Sequence, residues 1–393
     1  MSEVYFERAK LEDLDDIMDF SDFVFSHNSN PHDFMSLHPK LYKIENFMEG
    51  IHYLAREKGK IKAAAGAYPM KMEFSGGPSL PGRGIGMVCV HPRSRSKGYM
   101  KEIMNMALED MKKDNMVFSC LGGQRQRYEY FNYSAAGANY YFFVQEANIN
   151  HTLGREWKNS LHINIINSKD KNILDNIMEL HEAKDARFYR SRDKLYDILT
   201  SWNSILFAIT EENRFEGYFV CRADLRDIVE INLKNPSRIC EAIGLLLRYR
   251  KEKNNQNSIH VIAGSHEEEK VMLLSRFAES CRQGTAYQFN VLDFKRFVEP
   301  LMKLKAKQRT LAEGSFILKI NGPSDTVYEL SSHGTNVEIK ESNSPPGLIL
   351  DPLEAVKFFF SPLSAILYPK IRESVFLQSL LPLPLFFENM DGV

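Results

Sequence analysis

The segment "VCVHPRSRSKGYMKEIM", residues 88–104, joins an apolar run to an amphipathic run through a basic turn that contains one glycine. The apolar run "IGMVCV", which ends at Val90, is typical of a central buried strand because it carries no charge on either face. After Gly98, apolar residues recur at positions 100, 103, 104, 107, 108 and 111, which is the spacing of one face of an α-helix. The segment therefore predicts a strand, a turn and a helix in direct succession.

This junction has the chemical features of an anion-binding site. The first N–H groups of a helix have no intrahelical partner, and the helix N-terminus carries about half a positive charge. Gly98 allows close approach of the backbone to a phosphate, and Arg93, Arg95 and Lys97 add positive charge. The glycine spacing fits neither a P-loop nor a dinucleotide-binding fingerprint. From the turn alone, a basic surface turn ahead of a core helix is the alternative interpretation.

Composition argues against several classes of protein. The 393 residues carry a formal net charge of −1, which disfavours a strongly basic nucleic-acid-binding protein and an acidic disordered one. No apolar run reaches the length of a membrane span, and the N-terminus lacks the apolar region of a signal peptide. The 5 cysteines are scattered and show no metal-ligand spacing. We therefore expect a cytoplasmic protein without a bound metal and without a nucleic-acid or membrane partner.

Strand and helix patterns divide the chain into three blocks, predicted as domains at residues 1–150, 151–291 and 292–393. In the first block, "SGGPSLPGRG", residues 75–84, is predicted to be a loop. The second block, from "LHINII" to "SRICEAIGLLLRYRKEK", repeats the strand and helix order of the first, which predicts a diverged tandem repeat. The third block opens with the basic amphipathic helix "DFKRFVEPLMKLKAK" and continues with short strands. The fold class is mixed α/β (α+β).

The motif from Val88 to Met100 resembles the R/Q-x-x-G-x-G/A turn of GNAT acyltransferases and the V-x-V strand before it. Downstream, "LGGQRQRYEYFNY", residues 121–133, resembles the same region of the enhanced intracellular survival (Eis) family of GNAT enzymes. Met100 stands where the turn usually has a small residue, a change that this family tolerates. The resemblance implies tandem GNAT folds, each a mixed twisted sheet flanked by helices, with a catalytic first domain and a degenerate second one. A sterol-carrier-protein-like domain would follow at the C-terminus.

The resemblance implies transfer of an acetyl group from acetyl-CoA to a primary amine of a polycationic acceptor, aminoglycoside-like or lysine-type. It also implies a homo-oligomer, a hexamer in this family. The coenzyme would lie along the strand and turn, on the residues Val88, Val90, Arg93, Arg95, Ser96, Lys97, Gly98, Tyr99 and Met100.

Two catalytic groups follow from the same resemblance. The last tyrosine of the family's F-G-Y segment is the general acid, which corresponds to Tyr133 in "FNY". Asn132 replaces the glycine, and asparagine tolerates positive φ better than other non-glycine residues. The family uses its C-terminal carboxylate as the base, which here is that of Val393, and the apolar "LPLPLFF" predicts a docked tail. His91 and Cys89 are interpreted as structural residues.

Acidic residues are candidates for contacts with a cationic acceptor. We predict such contacts for Asp22 and Glu388, with Asp19 and Asp391 nearby in sequence, and solvated surface charge is the alternative interpretation. The middle block has "EINLKNPSRICEA" where the first has its glycine turn, so one coenzyme site per chain is expected. Two alternatives to the leading function stay open. One is a catalytically inactive GNAT-fold protein that binds lipid or serves as a scaffold, and the other is a GNAT enzyme that uses a longer acyl-CoA.

Overall fold

The computed structural model describes residues 4–28, 31–322 and 325–393. The chain divides into two compact units. The first comprises Met1–Ala136, Tyr287–Leu383 and Gly392–Val393, and the second comprises Gly137–Ala286 and Pro384–Asp391. Because each unit is assembled from separate stretches of chain, the domain limits at residues 150 and 291 stay a prediction.

The strands are numbered here in chain order. Their bounds are β1 Val4–Arg8, β2 His52–Glu57, β3 Lys60–Phe74, β4 Ser79–Val90, β5 Phe118–Leu121, β6 Ser134–Ala136, β7 Asn139–Gln145, β8 Leu161–Ile165, β9 Ala186–Phe188, β10 Ser204–Glu211, β11 Arg214–Arg222, β12 Asp227–Leu233, β13 Ser258–Gly264, β14 Ser280–Gly284, β15 Tyr287–Val291, β16 Gly314–Ile320, β17 Thr326–His333, β18 Asn336–Glu341 and β19 Leu348–Leu350.

The α-helices are numbered in the same way. Their bounds are α1 Leu14–Asn28, α2 Phe34–Leu37, α3 Pro39–Tyr42, α4 Tyr99–Lys113, α5 Arg125–Tyr128, α6 Glu146–Leu153, α7 Lys171–Glu182, α8 Leu195–Thr200, α9 Ile239–Asn254, α10 Glu268–Ser275, α11 Phe294–Gln308, α12 Pro352–Phe360, α13 Ser364–Leu367, α14 Pro369–Glu373 and α15 Val375–Leu380.

The main sheet of the first unit runs in the order β1-β2-β3-β4-β5-β15-β6. Neighbouring strands are antiparallel except β4 and β5, which are parallel and are joined through helix α4. A parallel pair needs such a crossover, because a tight turn can only reverse the chain. Helix α4 buries the face that its spacing predicts, including Ile103, Met104, Ala107 and Met111. The predicted strand, turn and helix are therefore confirmed.

Strand β4 is longer than the sequence suggests. It begins at Ser79, so the prediction of a loop at residues 75–84 is wrong for most of that stretch. The reason is long-range pairing, since the backbone of β4 pairs with β3 from Ser79↔Glu73 to Val90↔Ala63. Local glycine and proline content cannot reveal such a partner. The alternating glycines of β4 instead keep one face of the strand free of side chains.

The sheet of the second unit runs in the order β8-β10-β11-β12-β13-β7-β14. Its only parallel pair in this order is β12 with β13, and helix α9 joins these two strands. The succession of strand directions is the same as in the first sheet. It supports the predicted repeat, although the tandem GNAT arrangement itself stays a prediction.

A four-stranded sheet in the order β18-β17-β16-β19 follows in the C-terminal part of the first unit. Helix α12 begins after an N-cap at Asp351 and buries Phe358, Phe359 and Phe360. The mixed α/β class is confirmed, whereas the likeness to a sterol-carrier protein stays a prediction. Over the described ranges, no helix combines the length and apolar character that a membrane span requires.

Candidate active site

A bulge interrupts strand β4 at the centre of the first sheet. Ala64 pairs with Cys89 and Gly66 pairs with Gly86, so Met87 and Val88 together lie opposite a single residue of β3. Met87 has φ 53°, which is rare for a residue with a side chain. Such a bulge disrupts the ladder and changes the direction of backbone N–H groups, and it is frequent next to active sites.

Beside the bulge, β4 and β5 separate. Their parallel register runs from Gly82↔Phe118 to Ile85↔Leu121, and β4 continues beyond it to Val90. The backbone of Val88 and Val90 therefore lies on the part of β4 that extends past its β5 partner. An extended ligand can pair with such a strand edge as an additional strand does.

The basic turn follows directly. The imidazole Nδ1 of His91 accepts a hydrogen bond from the N–H of Arg93 at 3.1 Å, which gives His91 a capping role in the turn. Gly98 is the N-cap of α4 and has φ 83°, and Ser96 also has positive φ at 64°. These left-handed residues turn the chain sharply into the first turn of α4. The structure thus places the predicted turn at the N-terminus of a 15-residue helix.

The side chains of the turn do not all face outward. The ring of Tyr99 is buried in the core, in edge contact with Phe6 at 6.2 Å between ring centroids. Lys97 Nζ lies 3.0 Å from a carboxylate oxygen of Glu57, and this contact raises the pKa of Lys97. Tyr99 can therefore bind an anion only through its backbone N–H. Lys97 would have to leave Glu57 in order to pair with a phosphate.

Tyr133 is fully buried and its hydroxyl lies 2.7 Å from Ser119 Oγ. Ser119 Oγ also bonds to the carbonyl oxygen of Arg83 at 2.9 Å. A carbonyl only accepts, so the serine hydroxyl donates to Arg83 and the phenol of Tyr133 donates to Ser119. Burial raises the pKa of Tyr133, against a smaller opposing effect of the Ser119 hydrogen bond. The phenol therefore holds its proton at neutral pH and directs it towards Ser119.

The turn before Tyr133 has the conformation that the sequence predicts. Asn132 has φ 62° and ψ 25°, the left-handed region, so asparagine does replace glycine there. The ring of Tyr128 lies in edge contact with that of Tyr133, with centroids 6.3 Å apart. The "FNY" segment is thus a fixed support for the phenol.

The C-terminus of the chain lies on the glycine face of β4. A Cβ atom built on Gly86 would stand 2.8 Å from the carboxyl carbon of Val393 and 3.1 Å from a carboxylate oxygen. A Cβ on Gly84 would stand 2.6 Å from a methyl carbon of Val393. Any side chain at either position would displace the terminus. The predicted docking of the tail, defined as residues 380–393, is confirmed by the burial of Leu383, Leu385, Phe386, Phe387 and Met390.

The acidic residues predicted to contact the acceptor lie in two different settings. Asp22 is on α1, where its carboxylate accepts a hydrogen bond from the N–H of Phe34 at 3.0 Å. Partial burial raises the pKa of Asp22. Glu388 lies in the second unit, where it is ion-paired with Lys184 and with Arg190. Its carboxylate is paired with these two cations, and its contact with the acceptor stays a prediction.

Several residues of this site escaped the sequence-based prediction. Gly84 and Gly86 hold the C-terminus, and Ser119 accepts a hydrogen bond from the Tyr133 phenol. The signal for the glycines was present, because Gly82, Gly84 and Gly86 at alternate positions leave one strand face bare. Ser119 had no such signal, since its role depends on the parallel pairing of β4 with β5.

Residues 6–136 match the family model described as an acetyltransferase (GNAT) domain. A sequence search of curated proteins finds no match. Residues 6–136 therefore form a GNAT acetyltransferase domain, which supports an acyltransferase.

Solved structures resemble the chain over its whole length. A GCN5-related N-acetyltransferase from Kribbella flavida is 17% identical with a TM-score of 0.68, covering 100% of this chain and 99% of that one. A probable N-acyltransferase of unknown function from Enterococcus faecalis V583 is 16% identical with a TM-score of 0.69, covering 98% of each chain. Eis1 from Mycobacterium abscessus is 11% identical with a TM-score of 0.61, covering 100% of both chains. At these identities the likeness establishes the fold.

Proposed function

We propose that the protein is an acetyl-CoA-dependent N-acetyltransferase that acts on a primary amine of a polycationic acceptor. One observation carries this proposal: β4 brings a protonated phenol and a carboxylate to neighbouring residues. Tyr133 reaches Arg83 of β4 through Ser119, and Val393 lies on Gly84 and Gly86. Acyl transfer to an amine requires a general acid and a general base, and here both contact strand β4 or a residue bonded to it.

Acetyl-CoA would lie along the open end of β4. The pantetheine arm would pair with the backbone near Val88 and Val90, and the pyrophosphate would bind the turn at Gly98. The first N–H groups of α4 and the basic side chains of the turn supply positive potential. The N-acetyl assignment also draws on the GNAT match over residues 6–136.

The reaction would proceed by direct attack of the amine. The neutral amine nitrogen forms a C–N bond to the thioester carbonyl carbon, and the C–S bond then breaks. The carboxylate of Val393 takes the proton that the nitrogen loses, and Tyr133 gives its proton to the departing thiolate. Backbone N–H groups at the Met87 bulge would stabilise the carbonyl oxygen as it gains charge. Each proton thus has a donor and an acceptor among these groups.

The cationic acceptor is inferred from the surroundings of the terminus. Val393 packs against an apolar cluster that includes Ile17, Met18 and Val24 of α1. The same helix carries the exposed Asp19 and the half-buried Asp22. Negative charge on the helix that packs with the proposed base attracts cations and disfavours anionic acceptors.

A thiol-release assay tests this function and its alternatives. The purified protein would be incubated with a panel of polyamines, aminoglycosides, monoamines and carboxylated amines, each with acetyl-CoA and longer acyl-CoA thioesters. We expect the highest rates with acetyl-CoA and polycationic amines. Faster turnover with a longer acyl chain would replace the acetyl assignment, and no amine-dependent thiol release would favour the catalytically inactive scaffold.

Replacement of Gly98 should weaken coenzyme binding. In Gly98→Glu, a carboxylate stands where the pyrophosphate should bind, and like charges in close contact cost several kcal/mol. We expect the Kd for acetyl-CoA, measured by calorimetric titration, to rise at least about tenfold. Gly334→Glu is the matched control, because Gly334 also has positive φ and open space around it but lies in the β17–β18 turn. An unchanged Kd in folded Gly98→Glu would remove the turn from the site.

One acetyl-CoA should bind per chain. The corresponding junction of the second unit, between β12 and α9, has Arg238 with φ −86° at the N-cap instead of a left-handed glycine. The guanidinium of Arg238 is paired with Glu211 and Glu241. The junction therefore has neither the left-handed N-cap that would admit a pyrophosphate nor, at Arg238, a guanidinium without a carboxylate partner. Equilibrium dialysis giving a stoichiometry near two would contradict the single-site prediction.

A further inference from the structure

A buried group of charged residues in the second unit surrounds the guanidinium of Arg190, whose side chain is 0% exposed. We call Arg190, Lys184, Glu230, Glu388 and Asp391 the Arg190 cluster. Arg190 forms a forked pair with Glu230, with both N···O distances at 2.8 Å. Tyr218 donates to Glu230 at 2.5 Å and itself accepts from Asn232 at 2.8 Å. This half of the cluster is a rigid support built on β11 and β12.

The other half of the cluster belongs to the tail. Arg190 Nε and a terminal nitrogen bind the two carboxylate oxygens of Asp391 at 2.8 and 3.0 Å. The same guanidinium lies 3.4 Å from Glu388, which also pairs with Lys184. Forked pairs of arginine with carboxylates fix geometry as well as charge. One buried cation therefore holds the tail at two points, Glu388 and Asp391.

The tail crosses from one unit to the other directly after this cluster. Pro384–Asp391 belong to the second unit, whereas Gly392–Val393 belong to the first. On the first-unit side, the tail is held before this crossing, where Lys305 Nζ donates to the carbonyl of Pro382 at 3.0 Å and the N–H of Leu383 donates to Phe359 at 2.8 Å. From Asp391 to the terminus the chain can reach about 7 Å at most.

We infer that Arg190 is a positioning residue that holds the C-terminal tail through Asp391, two residues before the terminal carboxylate of Val393. Arg190 lies outside residues 6–136, which match the acetyltransferase model. The contact between Arg190 and the tail does not depend on the proposed function. The role of the Val393 carboxylate as the base does rest on it.

The contact acts mainly through hydrogen bonds and shape. Burial raises the pKa of Asp391 to about 6, and the neighbouring Glu388 and Glu230 add to this effect while Arg190 opposes it. The other titratable groups around the cluster are His181, His266, Glu267 and Lys270. A carboxyl whose pKa is raised in the docked tail favours docking at low pH, and this contribution is lost as the pH rises through about 6.

Release of Val393 by a carboxypeptidase tests the inference without any acetyl transfer. The enzyme cuts only an undocked terminus, so its rate, followed by intact-protein mass spectrometry, reports the undocked fraction of the tail. Loss of hydrogen bonds to a charged group should raise this rate about tenfold to a hundredfold in Asp391→Ala. Asp391→Asn keeps the shape but only one of the two acceptor oxygens, so its release rate should lie between those of the wild type and Asp391→Ala.

Two further variants keep the test decisive. Asn389→Ala is the matched control, because Asn389 lies in the same tail and is not a partner of Arg190, and its release rate should not change. Arg190→Lys keeps the charge but loses the fork, so faster release is expected even if Asp391→Ala does not fold. Equal release rates in the wild type and in every folded variant of Asp391 and Arg190 would overturn the inference. Faster release with unchanged kcat would keep Arg190 as the holder of the tail and remove Val393 as the base.

Discussion

Tyr133→Phe should lower kcat about 100- to 10,000-fold, the range of a general acid–base group. The phenylalanine ring fills the same buried space, so the change removes only the proton donor that now faces Ser119. The KM for the amine should change little, because the ground-state contacts stay. Steady-state kinetics with the best amine of the panel would give both constants.

The control for this variant is Tyr128→Phe. Tyr128 is also buried and contacts the Tyr133 ring edge to face, but its hydroxyl has no part in the proposed chemistry. Its kcat should stay within a few-fold of the wild type. If Tyr133→Phe has near wild-type kcat while the chemical step limits the rate, another group protonates the thiolate.

A C-terminal extension should also lower kcat about 100- to 10,000-fold, because the base is then an amide carbonyl where the carboxylate had been. Extending the chain by a few residues leaves Val393 in the sequence and moves the charged end group off Gly86. Deletion of Gly392 and Val393 should have a similar effect, since it shortens the reach of the tail by up to about 7 Å. The Kd for acetyl-CoA should be unchanged in both proteins.

Val393→Ala separates the carboxylate from the side chain. It keeps the end group and removes the methyl groups that lie over Gly84, so a modest loss of kcat is expected. An extended enzyme that acetylates its best amine at the wild-type rate would show that the terminal carboxylate is not the base. In that case a water held by the backbone near the Met87 bulge becomes the better candidate.

Local patterns predicted the features that depend on neighbours in sequence. The basic turn at Gly98, the buried face of α4 and the left-handed conformation of Asn132 are all found as expected. Docking of the tail also followed from composition, because residues such as Leu385 and Phe386 are too apolar to remain in water. The roles of Tyr133 and Val393 came from family resemblance, and they stay predictions.

Features set by distant partners were not predictable. Glu388 reads as a solvated tail residue until Arg190, 198 positions away in the chain, is placed beside it. The same holds for β15, which joins the first sheet between β5 and β6. In the chain, β15 is separated from β6 by all the strands of the second sheet. Pairing of β4 with β3 similarly converts a glycine- and proline-rich stretch into a strand. Long-range pairing leaves no periodicity in a single sequence.

The central claim is that the first unit transfers an acetyl group to an amine with Tyr133 as the acid. The most direct measurement is a mass balance with acetyl-CoA carrying a ¹³C-labelled acetyl group, followed by mass spectrometry of the amine and assay of free CoA thiol. The wild-type protein should form one labelled amide per CoA released, and Tyr133→Phe should form the same product at least about 100-fold more slowly. Release of CoA without labelled amide, or equal rates for the two proteins, would contradict the account.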